Sequence, residues 1–124
     1  MPYEDREYSI QGADYEYEAI VSVNIGDPLA KAWLTFKQDM SDADPGVLQK
    51  VVTTTNSAGV GQITDGGSIT GIATIRFDLT AAESAALSPR DYYFDVKVKT
   101  AGTSLAYGAG GLWHFYQNVT DATT

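Results

Sequence analysis

The 124-residue sequence contains no cysteine, which excludes disulfides and thiolate metal sites. It also lacks any run of about 18 apolar residues, the length that a membrane-spanning helix requires. Residues 1–7 are acidic and contain no apolar core, so we expect no secretory signal there. With 44% hydrophobic residues, the sequence predicts one domain whose stability comes from packing, from strand pairing or from neighbouring subunits.

Basic residues are scarce, because eight Lys and Arg stand against sixteen Asp and Glu, which gives a formal net charge of −8. Such a chain is not expected to bind nucleic acid by neutralising phosphates. The charge is also unevenly distributed. Residues 1–18 contain six acidic residues and one arginine, a balance of −5, and the rest of the chain carries only −3.

The acidic N-terminal region predicts a division of the chain into two parts. Residues 1–14 are expected to form an extended acidic arm, and residues 15–124 a folded domain. The arm alternates charged residues with Tyr3 and Tyr8 and has few aliphatic residues suited to a core. Two interpretations stay open: a solvated tail, or an arm that docks on a neighbouring subunit through its tyrosines.

From Tyr15 onward, apolar residues recur at every second position, which is the period of a β-strand. Groups of Gly, Pro, Asp and Asn separate these stretches and predict turns. The stretch 47–54 is rich in β-branched residues, but which side faces inward is ambiguous. In the other strands, the residues expected to point into the core are Ala19, Val21, Val23, Ile25, Ala32, Leu34, Phe36, Ala73, Ile75, Phe77, Leu79, Phe94, Val96 and Val98.

One short helix is predicted within this series of strands. Thr80 and Glu83 have the spacing of a capping box, the alanines that follow favour a helix, and Pro89 ends it. Glycines 108, 110 and 111 predict a bulge or bend in the last strand. With about seven strands, the pattern predicts an all-β, immunoglobulin-like antiparallel β-sandwich with one short helix and an extended N-terminal arm.

The sequence offers little for catalysis. Its one histidine, His114, lies between two aromatic residues on a predicted strand, and no G-x-S-x-G nucleophile motif is present. Asp39, Asp42 and Asp44 share a loop, which leaves two interpretations open: carboxylates that bind a hard cation, or side chains that cap turns. We assign no metal site, predict no catalytic residue and no cofactor, and expect a protein that is not an enzyme.

Aromatic residues on strand faces are more informative. Trp33 is expected to point outward beside Lys31 and Lys37, and in the last strand either Trp113 and Phe115 or His114 and Tyr116 must face outward. Outward aromatics mark contact surfaces, unless a second sheet covers them. The residues predicted as protein contacts are Tyr3, Tyr8, Tyr15, Tyr17, Trp33, Trp113 and Tyr116.

Several segments, taken in their order along the chain, carry a resemblance to a known family. They are the turn IGD at 25–27 with the strand AWLTF at 32–36, the strand TGIATIRFDL at 70–79, the capped turn TAAESAAL at 80–87, the strand YYFDVKVK at 92–99, and a closing strand from GGLW at 110–113 to Val-Thr at 119–120. This series resembles small phage virion domains similar to the N-terminal domain of siphophage baseplate upper proteins. The turn at 88–91 departs from the family pattern because it has no glycine.

The resemblance implies a non-catalytic assembly module of the virion that attaches receptor-binding proteins to the tail and forms symmetric rings. No long helical linker or receptor-binding region follows Thr124, so we expect a stand-alone subunit and not a complete baseplate adaptor. The expected function is that of a bacteriophage structural protein in the tail, baseplate or collar. Its expected partners are other phage structural proteins and copies of itself, in a symmetric homo-oligomer, with neither nucleic acid nor a membrane among them.

Two alternative functions stay open. One is a head-decoration or head-fibre base protein of the same virion. The other is a carbohydrate- or host-surface-binding module, in which outward-facing Trp33 and Trp113 would stack on sugar rings.

Overall fold

Within residues 5–117, which the computed structural model describes, the turn signals separate eight strands and one helix. The strands are β1 (Asp5–Ile10), β2 (Tyr15–Ser22), β3 (Leu29–Lys37), β4 (Leu48–Thr53), β5 (Gly61–Asp65), β6 (Ile72–Leu79), β7 (Asp91–Thr100) and β8 (Leu105–Tyr116). The helix α1 (Ala81–Ala86) connects β6 to β7. No helix in this part of the chain is long and apolar enough to cross a membrane.

The strands form two sheets that pack face to face. One sheet has the order β1-β8-β7-β3-β4, and the other has the order β2-β6-β5. The predicted mostly-β sandwich with one short helix is therefore confirmed. Residues 5–10, which the sequence assigned to the arm, pair as the edge strand β1 with β8.

The pairing of β1 with β8 is parallel, and it departs from the predicted antiparallel arrangement that the other pairs of named strands follow. The reason lies in the connection. Tight hairpins enforce antiparallel pairing, but β1 and β8 lie at opposite ends of the described chain, and residues 11–14 carry the chain from β1 into the other sheet.

The two-residue apolar rhythm produces the core. Every residue predicted to face inward on β3, β6 and β7 is buried: Ala32, Leu34, Phe36, Ala73, Ile75, Phe77, Leu79, Phe94, Val96 and Val98. On β4 the ambiguity is resolved, because Val52 faces inward and Val51 faces outward. Lys50 also faces inward and is only 5% exposed.

The inward prediction was wrong for Ile25. Ala19 and Val21 are buried as predicted, but β2 ends at Ser22, Val23 is only partly buried, and Ile25 is 73% exposed. Residues 23–26 instead pair with residues 68–71 at one end of the sandwich. There the Val23 N–H donates to the Gly71 carbonyl at 2.8 Å.

The helix follows the predicted capping box. The Glu83 N–H donates to Thr80 Oγ1 at 3.1 Å, and the Thr80 N–H donates to Glu83 Oε1 at 3.0 Å. These two bonds satisfy amides that the first turn of a helix leaves without partners. The predicted irregularity of the last strand is also confirmed, because the register shifts opposite Val96 and Lys97 and leaves Gly108 as the extra residue of a bulge.

Trp113 lies at the centre of the core and is fully buried. Its ring meets the rings of Phe36, Phe94 and Tyr17 at centroid distances of 4.9, 5.2 and 5.2 Å. Edge-to-face geometry of this kind is favourable beyond the area it buries. The indole N–H donates to Ser9 Oγ at 2.9 Å, which ties β1 to the core.

We predict that Ser9→Ala lowers the free energy of unfolding by about 1–3 kcal/mol, because the buried Trp113 N–H loses its acceptor. Urea unfolding followed by Trp fluorescence measures this loss. Ser22→Ala is the matched control, since Ser22 is an exposed serine on a strand, and it should stay within about 0.5 kcal/mol of the wild type. Equal effects from the two variants would contradict a buried hydrogen bond at Ser9.

Candidate functional site

A groove of about 380 Å³ runs between α1 and the β4 side of the five-stranded sheet. Val47, Leu48, Leu87 and Tyr92 contribute apolar surface to it, and Glu83 is its charged lining residue. Leu87 and Tyr92 are themselves buried. Whether the groove can bind a charged ligand depends on whether the Glu83 carboxylate is already paired with a cation of the protein.

Glu83 is already committed to a buried cation. Lys50 Nζ lies 2.7 and 2.8 Å from the two carboxylate oxygens and donates to the Gly59 carbonyl at 2.7 Å. Burial by itself raises the pKa of Glu83. The hydrogen bonds from Lys50, the hydrogen bonds with Thr80 and the positive charge of Lys50 outweigh this effect and hold the pKa below 4.5. The pair therefore fastens α1 to β4 and leaves the groove without an unpaired charge.

His114 faces outward, which settles the question that the sequence left open for the last strand. Its Nδ1 lies 2.7 Å from Asp91 Oδ1 on the adjacent strand β7, and its ring meets the Tyr116 ring edge-on at 4.4 Å. Trp113 and Phe115 face inward and are fully buried. Asp91 thus orients the ring of His114, and this ring forms an aromatic surface on β8 together with Tyr116.

This surface continues onto β1. The rings of Tyr8 and Tyr116 stack at 5.9 Å, and both side chains are about half exposed. Ile10 lies opposite Tyr116 in the parallel register and is also exposed. We call Tyr8, Ile10, His114 and Tyr116 the tyrosine patch.

A second exposed apolar surface lies where β2 ends and β6 begins. Ile20, Ile25, Ile69 and Ile72 are 53–85% exposed. The connections 23–26 and 68–71 that carry two of them are hydrogen-bonded to each other. Neither residues 20–26 nor residues 66–72 include a charged residue. We call these four side chains the isoleucine cluster.

The contact residues predicted from the sequence divide into two groups. Tyr8 and Tyr116 lie together in the tyrosine patch, and Trp33 is partly exposed on β3 beneath Lys31 Nζ, 5.3 Å from the ring centroid. Tyr17 and Trp113 are buried in the core and present almost no surface to a partner. Tyr3 lies outside the described residues.

Tyr15 also takes an internal role. Its ring meets Trp113 at 5.3 Å, and its hydroxyl donates to Glu7 Oε1 at 2.8 Å. Burial, the hydrogen bond and the negative charge of Glu7 raise the pKa of Tyr15 to about 12. This tyrosine closes the core between β1 and β2.

Sequence reasoning missed the isoleucine cluster, because the period of two was extended past the end of β2. A signal was present, since Ile25 and Ile69 lie in glycine-containing connections where an aliphatic side chain has no strand to bury it. Isoleucine is among the residues most often found inside proteins. Its recurrence at exposed connections is therefore informative.

The aspartates of the β3–β4 loop serve the loop itself. Asp42 accepts from the Asp39 N–H at 3.0 Å, Asp39 accepts from the Ser41 N–H at 3.3 Å, and Asp44 pairs with Lys37 at 3.1 Å. In the part of the chain that the structure describes, no group of three His, Asp or Glu side chains is placed to hold a metal ion.

No protein-family model and no curated protein matches the chain. Inference about function therefore depends on the sequence pattern and on the two exposed apolar surfaces.

We predict that Glu83→Gln destabilises the protein by about 3 kcal/mol, because it leaves the buried Lys50 ammonium without its counterion while glutamine can still complete the capping box. Lys50→Met should cost less, since Glu83 has access to solvent. Urea unfolding of both variants measures the difference. A larger loss in Lys50→Met would contradict this account.

The same pair predicts a pH dependence. The Glu83 pKa is lower in the folded state than in the unfolded chain, so its contribution to stability is complete above the unfolded value of 4.5. That contribution is lost as the pH falls through the folded pKa. The stability gap between wild type and Glu83→Gln, measured by urea unfolding from pH 7 to pH 3, should therefore narrow below about pH 4.5. A constant gap would show that the Glu83 charge contributes nothing.

Proposed function

We propose that this chain is a bacteriophage virion structural protein: an immunoglobulin-like assembly module of the tail, baseplate or collar that is not an enzyme. The ordered series of segments between residues 24 and 119 supports the family assignment. The observation that carries the assembly role is the gathering of exposed apolar side chains into two surfaces, the tyrosine patch and the isoleucine cluster.

Strand order supports the immunoglobulin-like assignment. In the variable type of that fold, strands C′, C, F and G form one sheet and strands B, E and D belong to the other. The orders β4-β3-β7-β8 and β2-β6-β5 correspond to these sets. The helix α1 occupies the connection between the strands that correspond to E and F.

The start of β7 supports it further. Tyr92 is buried, and its hydroxyl donates to the Ser88 carbonyl at 2.9 Å, which is the arrangement of the tyrosine corner before strand F. The second disulfide cysteine of antibody domains lies two residues after this tyrosine, and here that position holds Phe94. Phe94 meets Tyr17 of β2 edge-on at 5.7 Å. An aromatic contact thus takes the place of the inter-sheet disulfide in a chain without cysteine.

The two surfaces suit assembly for different reasons. Tyrosines are enriched at protein interfaces, where a large ring is buried while the hydroxyl keeps a polar partner. The isoleucine cluster is free of charge, so burying it against a neighbour would require no desolvation of ions. Because the two surfaces use different strands, one subunit has an apolar surface for each of two neighbours.

Of the two tryptophans that the carbohydrate-binding alternative requires, only Trp33 is accessible. Trp113 is buried and cannot stack on a sugar ring, and Trp33 is covered on one side by the Lys31 ammonium. The head-decoration alternative uses the same two surfaces, so the location of the subunit in the particle decides between head and tail.

We expect the chain to be found by mass spectrometry in purified particles of the phage that encodes it. Particles that carry Tyr8→Ser with Tyr116→Ser, or Ile25→Ser with Ile69→Ser, should contain at least about tenfold less of the subunit, because about 2 kcal/mol lost at each interface exceeds a factor of ten. The control is Met40→Ser with Val47→Ser, which changes two exposed apolar residues of a loop outside both surfaces.

Each variant should remain folded, which circular dichroism verifies, since the changed side chains are 40–85% exposed. Absence of the chain from purified particles, or normal incorporation of both surface variants, would contradict the assembly role.

A further inference from the structure

Four of the five lysines lie on one surface of the sandwich. They occupy outward-facing positions of the neighbouring strands β3 and β7, and they are Lys31, Lys37, Lys97 and Lys99. The fifth, Lys50, is buried against Glu83. Trp33 and Val51 lie opposite each other between these lysines on β3 and β4. We call the four lysines with Trp33 and Val51 the lysine face.

Three lysines of the lysine face, Lys31, Lys97 and Lys99, form no ion pair within residues 5–117. Lys31 lies directly opposite Lys99, and Lys97 lies opposite Trp33. Like charges directly opposite each other destabilise a sheet. An acidic partner would remove this cost, and Asp95, which also faces outward here, offsets only part of the charge.

The outer face of the three-stranded sheet has the opposite charge. Glu16 and Glu18 are both exposed on β2, and Glu16 lies directly opposite Asp78 of β6, which makes a second like-charge pair. Arg76 is the basic residue on this face. It lies directly opposite Glu18 and pairs with Asp78 at 3.0 Å, so Glu16, Glu18 and Asp78 together still leave the face with a net negative charge. We call Glu16, Glu18, Ile20 and Asp78 the acidic face.

The two faces also match in where their apolar side chains lie. Lys31 and Trp33 are two residues apart on β3, as Glu18 and Ile20 are on β2. Residues two apart on a strand lie on the same side, about 7 Å from each other. A face-to-face contact can therefore bring opposite charges together while Ile20, which is 62% exposed, meets the partly exposed ring of Trp33.

We propose that the acidic face of one copy packs on the lysine face of a second copy. This inference rests on the proposed assembly role, and it adds which two surfaces meet when one copy binds another. Because the two faces lie on opposite sides of the sandwich, every bound copy keeps one face of each kind available. Such a head-to-tail contact extends into a ring or a stack. Packed sheets lie about 10 Å apart, both within one sandwich and across the contact between two copies. The distance from one copy to the next is therefore about 20 Å.

A second copy fits the lysine face better than a nucleic acid does. The phosphates of a duplex would match the charge, but a duplex keeps its bases stacked inside, and its sugar-phosphate backbone has no apolar group to place against Trp33 and Val51. A chain of net charge −8 also repels any polyanion, including a single strand whose bases could stack on Trp33. Copies of the chain repel each other as well. At about 0.1 M salt, however, repulsion between exposed charges is screened beyond about 10 Å, while contacting pairs keep more of their attraction.

The test uses two charge reversals of the full chain. Lys31→Glu with Lys99→Glu makes the lysine face acidic, and Glu16→Lys with Glu18→Lys makes the acidic face basic. Each variant then has two faces of the same sign, so each should associate with itself at least about tenfold more weakly than the wild type at 0.1 M salt. An equimolar mixture of the two again offers opposite faces and should restore association.

Sedimentation velocity over a concentration series measures all three samples, and circular dichroism verifies that each variant is folded. Asp39→Lys with Asp42→Lys is the control, because it changes net charge as much as the Glu16 and Glu18 reversal does but lies in a loop outside both faces. It should not weaken association. Wild-type association should fall at 1 M salt, where screening extends to about 3 Å.

Three results would overturn the proposal: a wild-type chain that stays monomeric at millimolar concentration, variants that associate as the wild type does, or a mixture that fails to restore association. Binding of a 20-nucleotide DNA that depends on Lys31 and Lys99, without self-association, would replace the second copy by nucleic acid and would also overturn it. None of these results touches the proposed function, which fails separately if the chain is absent from virions.

Discussion

The burial of Trp113 between the two sheets is the constraint on which the rest of the structure depends. Its ring touches side chains from β2, β3 and β7, and its N–H reaches Ser9 of β1, so one residue contacts both sheets and the edge strand. Successive residues of a strand point to opposite faces. Placing Trp113 inside therefore places His114 and Tyr116 outside. A slip of one residue would bury His114 and expose the indole.

A second connection fixes the helix. Lys50 is the one inward-facing charge on β4, and its ammonium is matched by Glu83, which also completes the capping box of α1. One carboxylate thus serves local helix formation and long-range docking. Removing either partner affects both levels, because the helix of six residues is too short to be stable without packing.

The sequence predicted the parts of the fold that depend on local pattern. Phe36, Phe77 and Phe94 face inward because each belongs to a strand with a clear period of two. The helix begins after Thr80 because both capping bonds join Thr80 and Glu83, which are only three residues apart. What could not be predicted depends on residues far apart in the chain. Lys50 meets Glu83 across 33 positions, and Tyr8 stacks on Tyr116 across more than 100.

The candidate surfaces were predictable to the extent that they depend on single strands. Tyr8 and Tyr116 were predicted as contact residues, and both are exposed. Tyr17 and Trp113 were predicted as contacts as well, because residue type does not show whether the other sheet covers an aromatic side chain. The lysines show the same limit. Lys31 and Lys99 become neighbours through the register of β3 with β7, so a basic surface forms on a chain whose net charge is −8. The net charge therefore describes the whole molecule. The charge of each individual face depends on which residues strand pairing brings together.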